Sequence, residues 1–169
     1  MPDHGERRPW WPAGVMAAVM ALTVAVTGCG RQASATAAGG HDARRFAVTR
    51  ADGRQVTVPG TRPVVLDFVS AGCVTGLATL ARAQAADSGA DYVAVDIDPG
   101  STGSQARALL TAAGAAGLAT ATGGGLVAAY RIQAVGTTVV QSPDGAIAYS
   151  GIDPSLNTIT AAITTAAHR

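Results

Sequence analysis

Between Pro63 and Val69 the sequence reads PVVLDFV, a nearly unbroken apolar run that carries one charge, Asp67, and stops at Ser70-Ala71-Gly72-Cys73. Apolar residues on both alternating faces mark a strand covered from both sides, as at the centre of an α/β sheet. Directly after it, Val74, Leu77, Ala78, Ala81 and Ala85 recur at helical spacing as far as Ala86. The pattern predicts a strand followed by a helix, with Cys73 at the helix mouth.

The rest of the chain builds outward from this pair. Phe46 to Thr49 and Gln55 to Val58 flank Ala51-Asp52-Gly53, an Asp-Gly turn signal for a hairpin. Asp91 to Ile97 reads as a second buried strand and Ser104 to Ala113 as a second helix, whereas Leu118 to Gly125 is too rich in Thr and Gly to assign. Leu126 to Tyr130 suits a short helical turn. Thr137 to Gln141 and Ala146 to Tyr149, joined through Ser142-Pro143-Asp144-Gly145, form another hairpin signal. Asp153-Pro154 offers an N-cap and an N1 proline for a last helix from Ser155 to about Ala167, with Leu156, Ile159 and Ile163 on one stripe.

At 169 residues the chain is one domain plus an appendage, and its 12 basic against 11 acidic residues leave no basic footprint for nucleic acid. Every basic residue is Arg. Without lysine there is no Walker-type phosphate loop and no Schiff-base chemistry. Aromatic residues are 4% of the chain, so the core has to be assembled from Val, Ile, Leu and Ala.

The appendage is N-terminal. Arg7 and Arg8 precede an apolar run from Trp10 to Val26, which ends in Val26-Thr27-Gly28-Cys29. A charged start, an apolar stretch and small residues describe an export signal. The four residues before and including Cys29 resemble the bacterial lipobox, which implies cleavage after Gly28 and a diacylglyceryl thioether on Cys29. The other reading is an uncleaved signal anchor, since about 17 apolar residues is the low end of a membrane span. Arg31 to Arg45 then has the composition of a flexible spacer. His41, inside it, has no companion ligands and reads as a solvated linker residue.

The order of elements, with a strand-to-helix cysteine and a terminal hairpin plus helix, resembles the thioredoxin fold. VVLDFVSAGC, residues 64 to 73, is similar to the family's strand leading into W-C-x-x-C, with Asp67 at the position of the family's buried Asp. YRIQAVGTTVVQSPDG, residues 130 to 145, resembles its x-P-T-T strand and D-x-D-G turn. Asp96 to Pro99 after the second strand also fits. The likeness spans about residues 46 to 167 and is nearest to the membrane-anchored TlpA-type or redoxin-type branch. It implies an α/β domain over 46–169, a central mixed β-sheet flanked by helices with an N-terminal β-hairpin, joined through residues 29–45 to a signal peptide over 1–28. It further implies Cys73 and Asp67 as catalytic residues, Gly136 and Thr137 at the substrate-binding edge, no cofactor and no metal. Partners would be the membrane, through the lipid on Cys29, and extracytoplasmic protein thiols.

Three positions depart from the family pattern: Gly72 replaces the Trp, Gly76 the second Cys, and Gly136 the cis-Pro. One thiol cannot close the intramolecular disulfide that releases a bound partner. The expectation is therefore a monothiol redox protein, with a catalytically inactive binding module on the same fold as the alternative. A helix N-terminus stabilises a thiolate at Cys73, and Asp67 is expected to approach it from below. Ser70, three residues earlier, invites a one-cysteine peroxidase reading, but Leu66 stands where that family has proline, and only Arg131 or Arg62 could serve as the arginine. Asp96 and Asp98 read as a solvated loop, not a calcium site. Copper delivery lacks the second Cys and a nearby His. Gly123-Gly124-Gly125 reads as a flexible turn, and Tyr130 as packing. Cys29 and Cys73 are given separate roles.

Overall fold

The structure, a computed structural model, describes residues 45–169. The expected leader, Cys29 and His41 lie outside the described residues. Seven strands and four helices follow in order: β1 (Phe46–Thr49), β2 (Gln55–Val58), β3 (Val64–Val69), α1 (Thr75–Ala86), β4 (Asp91–Asp96), α2 (Gly103–Ala112), β5 (Ala119–Thr122), α3 (Gly124–Ala129), β6 (Thr137–Gln141), β7 (Ile147–Ile152) and α4 (Leu156–Ala167).

The sheet runs β2-β1-β5-β4-β3-β6-β7. β3, β4 and β5 are parallel, while β6 and β7 on one side and β1 and β2 on the other are antiparallel. Two right-handed crossovers in the same direction put α1 and α2 on one face. The chain then crosses back beneath the sheet, through α3, to reach β6.

Alternation along β3 sorts the core. Val65, Val69, Leu77, Leu80, Leu110 and Ile159 pack together on the α1, α2 and α4 side, and Val64, Leu66, Phe68, Val93, Val95 and Leu126 on the α3 side. All six β3 residues are buried, as the apolar run required. Asp67 falls on the α1 side by this alternation.

Three expectations are corrected. The stretch left unassigned contains β5, whose Ala and Thr residues have little strand signal of their own but pair in parallel with Val93 to Asp96. Gly123-Gly124-Gly125 is not a flexible turn: Gly123 donates to Asp96 O at 2.7 Å and α3 starts at Gly124. A Cβ on Gly123 would sit 3.0 Å from Asp96 O and from Ile97 Cα. Finally, the α4 cap is Ser155, whose side chain accepts from Thr158 N. Asp153 instead adopts φ 44° and turns toward the site described next.

Candidate functional site

The central strand delivers Cys73 through a tight turn. Cys73 N–H donates to Ser70 O at 3.0 Å and Ser70 N–H to Cys73 O at 3.3 Å, so the two residues close a small antiparallel bridge. Ala71 N–H donates to Asp98 Oδ2 at 2.8 Å, which ties this turn to the loop after β4. Asp98 is thus an anchor of the site loop. Its neighbour Asp96 is not solvated as expected but buried, accepting from Ser101 Oγ and Asp98 N.

Cys73 lies two residues before α1, whose N-cap, Val74, supplies no side-chain hydrogen bond. The residue is 8% exposed. It does not stand as an unpaired thiol: Cys73 is disulfide-bonded, with the other sulfur outside the described residues. Thr75 Oγ1 lies 4.0 Å from Cys73 Sγ and donates to Asp153 Oδ1 at 3.2 Å.

Asp67 takes the place the alternation gave it. The residue is 1% exposed, Oδ1 accepts from the Thr138 hydroxyl at 3.0 Å, and Oδ2 has no hydrogen-bond partner among the described residues. Burial pushes its pKa up from 3.8 to about 6; the Thr138 bond opposes the rise and the negative charge of Asp153 adds to it.

Gly136 and Thr137 open β6 beside these groups. Gly136 has φ 80°, a left-handed conformation that suits glycine because it lacks the Cβ clash. Its N–H donates to Phe68 O at 2.7 Å and its carbonyl accepts from Asp153 N at 3.0 Å. Thr137 Oγ1 donates to Ala134 O at 2.7 Å. The polar groups of both residues are therefore used within the fold. Among the described residues the one cis peptide bond precedes Pro59, so the bond before Gly136 is trans.

The structure thus gathers Cys73, Asp67 and Gly136, and adds Thr75, Thr138 and Asp153, which the sequence reading missed. Asp153 had one signal, its place just before the last helix, but that place reads equally as a cap. Arg62 does not join them. It pairs with Asp91 at 2.5 Å, at the end of β4 opposite Cys73, a strand length of about 17–20 Å away. Arg131 is exposed beyond α3. Tyr130 packs as expected, with its ring 6.0 Å from Phe68 and 6.3 Å from Phe46 and its hydroxyl donating to Gln141 Oε1 at 2.7 Å.

Solved structures share this architecture. The putative thiol:disulfide interchange protein DsbE of Chlorobium tepidum is 21% identical with a TM-score of 0.62, over 78% of this chain and 99% of that one. StoA of Bacillus subtilis is 15% identical with a TM-score of 0.61, over 72% and 98%. A secreted Mycobacterium tuberculosis disulfide oxidoreductase homologous to E. coli DsbE is 16% identical with a TM-score of 0.53, over 71% and 95%. The class is therefore a thioredoxin-like α/β domain, with a cysteine where the central strand passes into its helix.

No family profile matches the sequence. The chain is 32% identical over 126 residues to the Mercury resistance operon ORF3 protein of Streptomyces lividans, which covers 69% of this chain and 67% of that one. It belongs to that protein's family.

Proposed function

We propose that this protein exchanges disulfides with partner proteins through Cys73, outside the cytoplasm, from a lipid anchor on Cys29. The observation that carries the reading is the position of a disulfide-bonded sulfur at the start of α1. There the unpaired N–H groups of the first turn and the helix dipole favour the thiolate once the disulfide is reduced. A depression of about 280 Å³, lined in part by Ala71, Asp98 and Leu109, opens beside the cysteine loop and gives a partner segment room to approach.

The exchange balances without a cofactor. The Cys73 thiolate attacks one sulfur of a partner disulfide, a new S–S bond forms to Cys73, and the other partner sulfur leaves as a thiolate. A second, external thiol then attacks the partner's sulfur in the mixed disulfide and returns Cys73 as a thiolate, which takes up a proton. The chain has two cysteines, and a thioether on Cys29 would leave that sulfur unable to bond Cys73, so lipidation at Cys29 and a disulfide between the two exclude one another. The relative is named for a mercury resistance operon, and soft metal ions seek thiolate ligands of the kind a reduced Cys73 would present.

Trapping tests the reading. Membranes prepared with an alkylating quench and run without reductant should show Cys73-dependent adducts, lost in Cys73→Ser. Equal partner capture by both forms would overturn exchange and leave the binding module. The anchor has its own measurement. Cys29→Ser should abolish fatty-acid labelling and release the chain from the membrane fraction, and unchanged labelling would refute lipidation at Cys29.

A further inference from the structure

Two carboxylates flank the cysteine turn, one from the β4 side of β3 and one from the β6 side. Asp98, on the loop after β4, accepts from Ala71 N–H through Oδ2 at 2.8 Å. Asp153, between β7 and α4, is exposed. Its Oδ1 accepts from the Thr75 hydroxyl at 3.2 Å, and that hydroxyl lies 4.0 Å from Cys73 Sγ. Carboxylate and sulfur therefore stand within a Debye length, about 8 Å at physiological salt. The charge of Asp153 is felt inside the site, since it adds to the upward push on the buried Asp67 carboxyl.

Neither charge is matched by a cation. Among the described residues the ion pairs are those of Arg50 and Arg62 with Asp91, at the far end of the sheet, and Arg82 bonds Thr79 within α1. The backbone of Gly136 does not discriminate between partners, because its N–H is engaged by Phe68 O and its carbonyl by Asp153 N–H. That leaves the side chains around the sulfur. Beside Asp98 the depression of about 280 Å³ is walled by Pro99 and Leu109. On such a surface a long cationic side chain lays its apolar stem while its head stays with the carboxylate. The Cys73 sulfur is itself held as a disulfide, so the site accommodates a second sulfur-bearing segment.

We infer that Asp153, reinforced by Asp98, selects the partner of Cys73 by charge: the site takes segments with Arg or Lys beside the reacting cysteine and turns away acidic ones. The inference rests on the exchange reading of Cys73 and names the class of partner for it. In the step concerned the Cys73 thiolate attacks a partner disulfide, an S–S bond forms to Cys73, and the other partner sulfur leaves as a thiolate. As the two sulfurs close, a cation next to the attacked one is drawn toward Asp153 and an anion is repelled.

The experiment uses the full chain carrying Cys29→Ser as parent, reduced and freed of reductant, so that Cys73 is the sulfur that reacts. The probes are cystamine, with two ammonium groups, and dithiodiglycolate, with two carboxylates. Mixed-disulfide formation is timed by intact mass after an acid quench, and the ratio of the two rates cancels any change in the thiolate itself. Asp153→Asn removes the charge and keeps a residue type that tolerates the left-handed φ of 44°. In that variant the cystamine to dithiodiglycolate ratio should fall about fivefold. In the parent, raising salt from about 0.02 M to about 0.5 M should shrink the same ratio, a measurement that needs no substitution at the site. A ratio unchanged by Asp153→Asn, or indifferent to salt, overturns selection by charge and leaves exchange standing. A Cys73 that reacts with neither probe overturns the exchange reading and the selection with it.

Discussion

Phe68→Ala should lower folding stability by about 3–5 kcal/mol, the range for emptying a fully buried aromatic site. Phe68 is wholly buried on the central strand, opposite Val95 of β4 and Thr137 of β6. Its ring meets Tyr130, which in turn bonds Gln141 at the end of β6, so the side chain is shared by three elements. Few large residues are available to collapse into the gap, because the face around it is mainly Val and Leu. Urea unfolding measures the effect through the midpoint at constant slope, and Phe68→Leu should lose far less. A loss below about 1 kcal/mol for the alanine variant would show that Phe68 does not hold this face of the sheet.

Asp67 governs the second large effect, and its sign follows from the raised pKa. In the folded chain the carboxyl keeps its proton up to about pH 6, whereas its ordinary value is 3.8. Across that window the folded state binds more protons than the unfolded state, so stability falls as pH rises and levels off above it. The contribution is complete below the ordinary carboxylate range and amounts to about 3 kcal/mol in total. Asp67→Asn keeps an acceptor for Thr138 but has no proton to lose in this range. The difference in unfolding free energy between the two chains, followed from pH 3.5 to 7.5, should therefore shift toward the Asn variant by about 2–3 kcal/mol. Parallel profiles would mean that Asp67 is not desolvated.

The same two residues show how much could be read in advance. The unbroken apolar run announced β3, and helical spacing after Cys73 announced α1, because both signals are local and strong. Asp67 could be expected beneath the helix from its place on that strand and from the resemblance that sets it at the family's buried Asp. The strand β5 could not: Ala119, Thr120, Ala121 and Thr122 have no pattern, and their conformation is imposed by the edge of β4. Asp153 was misread for a related reason. An Asp before a Pro and a helix satisfies a capping pattern, and only the return of β7 to β6 brings it against Thr75 and Gly136. The glycines were legible as departures, but that Gly76 abuts the Asp67 carboxyl and Gly136 the Asp153 carboxyl is a property of packed volumes.

One attachment remains to be followed outward. The hairpin of β1 and β2 touches the rest of the sheet through the pair Thr49 and Thr120, and Arg50 and Arg62 both close on Asp91 Oδ1. Arg62 also donates to Ser88 O at 2.6 Å. Any pull transmitted along the chain before Arg45 reaches Phe46 first. Such a pull would meet the β1–β2 hairpin before the parallel strands, with the Arg50 guanidinium fastening the hairpin's turn to Asp91 and Arg62 fastening the segment that follows it.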